Sequence, residues 1–474
     1  MVPDSSKRWM TNHLPVFGNR PISELCMPGS HNAGTYRCGY RTAHGEENTV
    51  ITQTKSIFDQ LELGVRYLDI RPCLTSPELN APPGNWACGN FTGPTGDNDR
   101  WQGANGVEIC EVIDDINRFT QHNAELVIVN ITRVYRVFID KSVHPTGRDP
   151  NQDEWSSLIS LLSTINNLFT IDRAGGGKPK ALDDYTLNQF IGSGKASVVV
   201  LVSKYGGNMD DLYNHGLWPP STLSLKGESL TEIEPVLFFE PLWSSNADSA
   251  LSLAKILQLE RFPWLLQEFA AKGHPSVIWM DRIENADLLT FCIATIHQRF
   301  NRSMGLNNMV IVYGGILVTS QHVHQRVRSA IDNGESFQVT SGNLGCDPWP
   351  DMDKSCAVFY EQDGIVKARF AQEPHSLDFG RDIISIQYGN CQIRDQVAYL
   401  HLMKAMDDGT WFIVNNSHLG GDPQPGVAKT CVVHFRYRNH GEIRVLDAKE
   451  GGMINFESDH EKFSQAEASS SHIV

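Results

Sequence analysis

Short apolar runs recur along the first 300 residues, and stretches with helical spacing separate them. Between two of these runs, the apolar residues at 107, 109, 113, 116 and 119 fall on one face of a helix. An alternation of buried strands with amphipathic helices is typical of an α/β protein with a parallel sheet. The runs that we predict to be strands lie at 22–27, 65–70, 126–131, 196–202, 235–239 and 276–280.

These six strands are fewer than the eight of a regular TIM-type (β/α) barrel, so we expect a distorted barrel. Residues 75–100 contain many Gly, Pro and Asn residues, and we predict an irregular segment there.

The last third of the chain repeats itself at an offset of 75 residues. Agreement of this extent indicates a duplicated unit. Each copy has short alternating runs and a rigid Asp-Pro-x-Pro turn, which predict a small β-rich module. The matching pairs include Tyr313 with Tyr388, Phe337 with Phe412, Asp347 with Asp422, Lys354 with Lys429 and Cys356 with Cys431.

We therefore predict a barrel over residues 1–302, two tandem β-rich repeats over 303–380 and 381–457, and a disordered tail over 458–474. The tail is rich in serine and poor in large apolar residues, which is typical of disorder.

The composition is that of a globular protein with an acidic balance. Its net charge is −15, from 40 basic and 55 acidic residues. Nucleic acids and strongly anionic membranes require a basic surface, so neither is expected as a general partner.

No stretch approaches the roughly 18 apolar residues of a membrane span, and the first eight residues lack the apolar core of a secretory signal. We therefore expect a cytoplasmic protein or one peripheral at a membrane. The ten cysteines have no C-x-x-C spacing, so reduced thiols are expected rather than a zinc site.

Two strand ends carry side chains suited to phosphate chemistry. The first run leads into a Pro-Gly-Ser turn that presents His31, and the second ends just before Arg71. Histidine can take up a proton near neutral pH, and the planar guanidinium of arginine matches two phosphate oxygens. Parallel α/β barrels build their active sites from groups at the carboxyl ends of strands. A base beside a phosphate clamp indicates phosphoryl transfer from a diester.

At these residues the chain resembles the X domain of phosphatidylinositol-specific phospholipase C, in the metal-independent, bacterial-like branch of that superfamily. The resemblance covers roughly residues 8–300. It implies a barrel that cleaves a phospholipid or a soluble phosphodiester without a cofactor. The markers are Trp9-Met10, the segment at 28–36, Gln53, Gln60-Leu61 and the strand at 64–71.

The resemblance also implies roles for single residues. His31 would be the general base that takes the proton of the inositol 2-hydroxyl, and Arg71 would stabilise charge on the phosphate. Asp281, which follows the run at 276–280, would orient His31. Asn32 and Asp69 are expected to contact the substrate.

The second histidine of the family, which protonates the leaving oxygen, is missing from its motif. Asn90 stands in its place, before the Trp-Gln-Gly at 101–103, and we count it among the substrate-binding residues. An amide cannot give up a proton, and general acid catalysis is worth about 10²–10⁴-fold. Three alternatives stay open: His44 or His122 substitutes, the substrate has a better leaving group, or the barrel binds phosphates without cleaving them.

Calcium-dependent relatives surround the ion with an asparagine and several carboxylates, and Asn32 and Asp69 match two of those positions. Arg71 argues against a metal, since it puts a fixed positive charge where a hard cation needs oxygen ligands. We therefore expect neither a metal nor another cofactor. Thr132 stands where bacterial relatives carry a lysine that contacts the substrate, so specificity for inositol is open.

The repeats faintly resemble rhamnose-binding lectin domains, through the Tyr-Gly opening, the Asp-Pro segment and the lysine after it. That resemblance implies a glycan or a protein surface as partner, while the alternative is that these residues maintain the fold. Two hypotheses follow for the chain: a phosphodiesterase of the phospholipase C type, or a binding protein whose barrel is catalytically impaired.

Overall fold

The computed structural model describes residues 4–42, 45–76, 84–94, 101–138, 146–176, 180–224, 236–238, 262–284, 287–305, 309–437 and 442–456. The chain divides into two compact units. Unit 1 comprises Met1–Glu260, Pro275–Ile296 and Pro348–Met352, and unit 2 comprises Arg261–His274, His297–Asp347 and Asp353–Val474. The predicted domain boundaries at 302, 380 and 457 stay predictions, and the predicted tail lies outside the described residues.

The described strands of unit 1 form two sheets. One sheet has six strands in the order β10-β11-β1-β2-β6-β9, and the other has five in the order β5-β4-β3-β7-β8. In chain order the strands are β1 (Met27–Ser30), β2 (Tyr67–Ile70), β3 (Pro72–Ser76), β4 (Trp86–Thr92), β5 (Gln102–Glu108), β6 (Leu126–Ile131), β7 (Tyr135–Phe138), β8 (Thr146–Arg148), β9 (Ser197–Val202), β10 (Val236–Phe238) and β11 (Val277–Met280).

All neighbouring strands of the six-stranded sheet are parallel. Its members correspond to the six predicted apolar runs, so the α/β class with a parallel sheet is confirmed. Strands covered on both faces need nearly continuous apolar sequence, and all six residues of β9 are buried. Within the described ranges β10 and β9 form the two edges, so these six strands do not close into a regular barrel.

The first strand lies about five residues later than the apolar run at 22–27 predicts. Ile22–Glu24 forms a 3₁₀ helix, and β1 begins at Met27 and includes Gly29. Gly29 pairs with Trp279 of β11, and a Cβ atom at residue 29 would lie 2.7 Å from the Trp279 Cβ atom. The turn-like Pro-Gly sequence belongs to the strand because the close approach of β11 requires a glycine.

Strand β4 and the last two residues of β3 in the five-stranded sheet fall in the segment 75–100 that we predicted to be irregular, so the prediction was wrong for these residues. Strands β3, β4 and β5 pair antiparallel, with a register shift between Ala87 and Gly89. Glycine and asparagine interrupt the apolar pattern of β4 and β5, so the hydrophobic pattern does not predict these two strands. A small core of Cys73, Phe91 and Val137 lies between strands of this sheet.

Helix α5 in unit 1 confirms the predicted amphipathic helix. It begins after a capping box formed by Glu108 and Glu111, and Val107, predicted on its apolar face, belongs to β5 instead. The described helices up to residue 303 are α1 (Asp4–Lys7), α2 (Trp9–Phe17), α3 (Glu47–Val50), α4 (Ile57–Glu62), α5 (Ile109–His122), α6 (Gln152–Leu162), α7 (Leu187–Ile191), α8 (Met209–Asn214), α9 (262–272) and α10 (Asp287–Ser303), with short 3₁₀ helices at Leu182–Asp184 and Pro220–Thr222.

In unit 2 the two sequence repeats contain the same arrangement of strands. The first has β12 (Val310–Tyr313), β13 (Ile316–Leu317), β14 (Ser336–Gln338), β15 (Ser355–Gln362), β16 (Ile365–Gln372) and β17 (Ser376–Asp378). The second has β18 (Asp382–Tyr388), β19 (Cys391–Ile393), β20 (Trp411–Ile413), β21 (Thr430–Arg436), β22 (Ile443–Lys449) and β23 (Met453–Asn455).

Each repeat forms one four-stranded sheet and one two-stranded ribbon. The sheets have the orders β13-β12-β15-β16 and β19-β18-β21-β22, and the ribbons are β14-β17 and β20-β23. Helix α11 (Gln321–Asn333) lies between the second and third strands of the first repeat, where the short α12 (Ser341–Leu344) follows, and α13 (Gln396–Asp407) lies at the same place in the second. The β-rich modules therefore also contain a packed helix, which the sequence analysis did not include.

The repeated lysine makes the same ion pairs in both repeats. Lys354 lies 3.0 Å from Asp347 and 3.2 Å from Glu373. Lys429 lies 2.9 Å from Asp422 and 3.1 Å from Glu450. These ion pairs connect the Asp-Pro turn to a later strand connection within each repeat, which gives the repeated charges a structural role.

None of the helices in the described ranges is both long enough and apolar enough to cross a membrane.

Candidate active site

The carboxyl edge of the parallel sheet brings three predicted site residues together. Strands β11, β1 and β2 are adjacent and parallel. Asp281 follows β11 directly, His31 follows β1, and Arg71 follows β2. Side chains that come directly after neighbouring parallel strands meet at one edge, so the strand order itself creates the cluster.

His31 lies between a carboxylate and a guanidinium. Its Nδ1 atom is 2.7 Å from Asp281 Oδ1, and its Nε2 atom is 2.6 Å from Arg71 Nη2. Arginine can only donate, so Nε2 accepts and carries no proton, while the ring proton lies on Nδ1 and is donated to Asp281. The imidazole is thereby held in the tautomer that can take up a proton at Nε2.

Asp69 connects the strand ends around this histidine. Its carboxylate is fully buried and accepts hydrogen bonds from the backbone N–H of Asn32 at 3.0 Å and from Thr132 Oγ1 at 2.6 Å. The same carboxylate forms an ion pair with Arg71, at 2.9 Å from Nε. These contacts favour a positioning role for Asp69, and the sequence analysis noted Thr132 only as a departure from bacterial relatives.

Asn32 has hydrogen-bonding capacity that no described residue uses. Its side chain is fully buried, and neither its Nδ2 nor its Oδ1 atom has a hydrogen-bond partner among the described residues. A buried amide without partners costs free energy, and such a cost is commonly found where a ligand supplies the missing bonds. The geometry is compatible with the predicted contact between Asn32 and the substrate.

Gln53 fixes the chain around His31. Its Nε2 atom donates to the carbonyl oxygens of His31 at 2.9 Å and Met280 at 3.0 Å, and its Oε1 atom accepts from the N–H of Ile283 at 3.0 Å. This one amide therefore holds the segments that carry both His31 and Asp281. The sequence marks Gln53 as part of the family pattern but does not reveal this role.

Four residues with left-handed backbone lie two positions after strands of the parallel sheet. Asn32 and Arg282 follow β1 and β11 with φ of 47° and 61°. Arg133 and Lys204 follow β6 and β9 with φ of 47° and 57°, and both are exposed. This backbone costs a non-glycine residue roughly 1–2 kcal/mol, and such strain is concentrated at functional sites.

Arg133 also acts electrostatically on Arg71. Burial lowers the pKa of the Arg71 guanidinium; the Asp69 carboxylate raises it, and the nearby positive charge of Arg133 lowers it. Arginine stays charged throughout, so two cations oppose each other at this edge of the sheet. A bound phosphate would relieve that repulsion. Sequence reasoning missed Arg133, although its place just after an apolar run was a usable signal.

Asn90 follows Gly89, whose backbone N–H donates to the carbonyl oxygen of Arg71 at 2.8 Å, but its own side chain is engaged elsewhere. It lies on β4 and donates from Nδ2 to the carbonyl oxygen of Val50 at 3.1 Å. His122 ends helix α5 just before β6, so it lies toward the amino end of that strand, away from the carboxyl edge. Of the two histidines considered as replacements for the missing acid, His122 is therefore excluded by position, and His44 lies outside the described residues.

Cys88 lies two residues before Asn90 on β4 and is fully buried. Burial raises the pKa of its thiol well above the ordinary value, and the negative charge of Asp69 acts in the same direction. A thiol held in its neutral form is a poor nucleophile, so Cys88 does not offer a covalent route.

The donor set at this edge does not fit a calcium ion. Asp69 is already paired with the guanidinium of Arg71, which would stand among the oxygen ligands of a cation. In the described ranges no group of three or more His, Cys, Asp or Glu side chains is arranged to hold a metal.

Part of the chain is similar in sequence to PI-PLC X domain-containing proteins. It is 24% identical over 149 residues to the human PI-PLC X domain-containing protein 2, and 33% identical over 76 residues to a PI-PLC X domain-containing protein of Dictyostelium discoideum. The human match covers 27% of this chain, and the chain spans 43% of the length of that relative. No family model matches the chain.

Solved structures of phosphatidylinositol-specific phospholipase C also align with it. The protein from Staphylococcus aureus gives a TM-score of 0.36 at 13% identity, covering 59% of this chain and 92% of its own. The protein from Listeria monocytogenes gives a TM-score of 0.32 at 14% identity, covering 59% and 94%. The sequence similarities confirm the predicted resemblance to phosphatidylinositol-specific phospholipase C X domains. The lectin-like resemblance of the repeats is not supported and stays a prediction.

Proposed function

We propose that this protein is a phosphoric diester hydrolase of the phospholipase C type, acting on a diester whose phosphate has a neighbouring hydroxyl group. The observation that carries this proposal is the His31 imidazole, hydrogen-bonded to Asp281 at 2.7 Å and to Arg71 at 2.6 Å. This arrangement combines a base of fixed tautomer with a phosphate-binding cation.

In the proposed step the substrate hydroxyl takes the position that Arg71 Nη2 holds at His31 Nε2. His31 removes the hydroxyl proton, the oxygen forms a bond to phosphorus, and the bond from phosphorus to the leaving oxygen breaks. The products are a cyclic phosphodiester and an alcohol; the leaving oxygen takes its proton from water, and the His31 imidazolium returns its proton to the hydroxide that this leaves. Asp281 stabilises the imidazolium, and Arg71 stabilises the charge that develops on the phosphate.

In this scheme no described residue is assigned as the acid for the leaving oxygen, because Asn90 donates its amide hydrogen to Val50 and cannot supply a proton. We therefore expect slow cleavage of an ordinary lipid diester and faster cleavage of a diester with an acidic leaving alcohol.

The test compares hydrolysis of phosphatidylinositol with that of a soluble inositol phosphodiester carrying an activated leaving group. Wild type should cleave the activated diester, and His31→Ala should lower the rate of this cleavage by a factor of about 100 or more. His122→Ala removes an imidazole away from the carboxyl edge and should leave the rate unchanged. Asn90→His should raise the rate on phosphatidylinositol more than on the activated diester.

A second candidate function is phosphate binding without cleavage. It is favoured by Asn90, which stands where the resembling family has its second histidine and whose amide is used in a structural hydrogen bond. The proposed hydrolysis would be refuted if neither wild type nor any variant cleaves either substrate. Phosphate binding would be supported if, in addition, the protein binds inositol phosphate and Arg71→Gln weakens that binding.

A further inference from the structure

The two ribbons of unit 2 have the same geometry and the same inward-facing pattern. In the first repeat Phe337 of β14 and Leu377 of β17 are opposite each other and buried, at 5% and 1% exposure. In the second repeat Phe412 of β20 and Ile454 of β23 are opposite each other and buried, at 5% and 1%. The central residue of each strand therefore packs into the core of its repeat.

The outward faces of the two ribbons have opposite chemical character. The first ribbon exposes Ser336, Gln338 and Ser376. The second exposes Trp411, Ile413 and Met453 at the corresponding positions, with 53%, 37% and 57% of each side chain accessible.

The three apolar residues form one continuous surface, which we call the ribbon patch. Ile413 is directly opposite Met453 across the two strands, and Trp411 lies two positions away on the same face. The remaining outward position, opposite Trp411, is Asn455, so the patch carries no charged side chain.

Folding does not require these apolar side chains. The first repeat has the same ribbon with serine and glutamine at the equivalent positions. Large apolar side chains held in water on a regular sheet face mark an interaction surface when they are contiguous. Because only the second ribbon has apolar outward side chains, we expect a partner that binds the second repeat and not the first.

We propose that the ribbon patch docks the protein on the surface of uncharged or zwitterionic lipid. This inference rests on the proposed function, because an enzyme that cleaves a lipid diester must reside at a lipid surface. A tryptophan with neighbouring aliphatic side chains suits the membrane interface, where an amphipathic ring sits at headgroup level.

The charge distribution fits the same occupant. Between residues 381 and 456 the chain has eight Lys or Arg and eight Asp or Glu residues, whereas the whole chain has a net charge of −15. The second repeat can approach a neutral surface without electrostatic cost, while a strongly anionic surface would repel the rest of the protein.

The experiment measures sedimentation of the protein with phosphatidylcholine vesicles, in a His31→Ala background that prevents hydrolysis. A triple variant with Trp411→Ser, Ile413→Gln and Met453→Ser places the residues of the first repeat on the second ribbon. We expect this variant to partition into the vesicle fraction about tenfold or more weakly, since three large apolar side chains no longer leave water on binding. Ser336→Ala with Gln338→Ala is the matched control and should bind as the parent does.

The result that overturns the proposal is equal vesicle binding by the parent and the triple variant, or no binding by either. A change of oligomeric state in the triple variant, measured by light scattering, would also overturn it and assign the patch to a second copy of the chain. Hydrolysis of the soluble diester by the triple variant with His31 intact separates the two proposals. If vesicle binding depends on the patch but the soluble diester is not hydrolysed, only the proposed hydrolase function is refuted. If the diester is hydrolysed but vesicle binding does not depend on the patch, only the proposed docking surface is refuted.

Discussion

Arg133 has a left-handed backbone conformation that is unfavourable for any residue with a side chain. Such a local cost suggests that the place of its guanidinium serves the function of the site. Arg133 is exposed, has a φ of 47° and lies close enough to Arg71 to lower the pKa of that guanidinium. If Arg133 contacts the anionic headgroup, Arg133→Gln should raise KM about tenfold and change kcat less, because a charge-assisted hydrogen bond is worth about 1.5–3 kcal/mol. Steady-state kinetics on the soluble inositol phosphodiester measure this split.

Arg118→Gln is the matched control for Arg133. Arg118 is also exposed, but it lies on helix α5 and pairs with Asp115 at 3.0 Å. Its loss should leave both constants unchanged. An unchanged KM in Arg133→Gln, or an equal effect of the two substitutions, would remove Arg133 from the binding site.

At the residue scale, sequence reasoning located the groups that follow apolar runs and missed those whose role depends on tertiary contacts. His31, Arg71 and Asp281 converge because parallel strands end at one edge; the pattern predicts this for His31 and Arg71, and the family resemblance adds Asp281. Two of the three hydrogen bonds of Gln53 reach residues more than 200 positions away, and no local pattern encodes them. The placement of Asn90 against Val50 depends on a sheet that the pattern did not predict.

At the element scale, Gly29 sets the distance between β1 and β11, the strands that carry His31 and Asp281. A Cβ atom at residue 29 would lie 2.7 Å from Trp279 Cβ and 3.0 Å from Val277 Cγ1. Gly29→Ala should therefore destabilise the protein by about 1–3 kcal/mol and reduce activity, since the strands must move apart. Denaturant titration followed by circular dichroism measures the stability change.

The control for Gly29 is Gly206→Ala, because a Cβ atom at residue 206 meets no atom within 4 Å. That substitution should be neutral or slightly stabilising, as it reduces the entropy of the unfolded chain. If Gly29→Ala is as stable as Gly206→Ala, the close contact of β1 with β11 is not what requires the glycine.

The ion pairs of the second repeat give its stability a defined pH dependence. Hydrogen bonds from Lys429 lower the pKa values of Asp422 and Glu450 below their ordinary values. A carboxyl group whose folded pKa is depressed stabilises the protein above its unfolded pKa, and this contribution is lost as pH falls through the folded value. In thermal unfolding, Lys429→Met should be less stable than wild type above about pH 5, and the difference should shrink below about pH 4.

Lys449→Met removes an exposed lysine from the edge strand β22 and is the control for this pH effect. It should shift stability little and without the same pH dependence. A stability difference for Lys429→Met that stays constant from pH 3 to pH 7 would mean that the lysine acts through packing over Tyr388, whose ring centroid is 5.2 Å from Nζ, rather than through its ion pairs.

Among the elements, the strands of the parallel sheet could be predicted because burial on both faces demands continuous apolar sequence. The first was displaced, since a Pro-Gly pair in a strand is interpreted locally as a turn. The five-stranded sheet was missed because its strands contain glycine and asparagine, and their pairing depends on distant partners. The repeat could be predicted from its period of 75 residues. Helices α11 and α13 were not predicted, because the Asp-Pro turns and alternating runs indicate only strands.

At the scale of the whole molecule, the net charge of −15 and the cations at the carboxyl edge act over different distances. The net charge repels an anionic surface at long range, whereas Arg71, Arg133 and Lys204 can attract a phosphate only at short range. Long-range repulsion should therefore limit how often the protein reaches an anionic membrane, even when the site itself favours anions.

Salt should consequently increase association with anionic vesicles. We expect the His31→Ala protein to bind phosphatidylcholine vesicles that contain phosphatidylinositol more strongly as ionic strength rises from about 0.01 M to about 0.15 M, because the Debye length falls from about 30 Å to about 8 Å. Binding to pure phosphatidylcholine should change little over this range, and sedimentation with both vesicle types measures the difference. Binding to the anionic vesicles that weakens with added salt would instead mean that the basic residues of the carboxyl edge govern association. In that case Arg133→Gln should remove the salt dependence, and the acidic balance of the chain would have no bearing on which membrane the protein reaches.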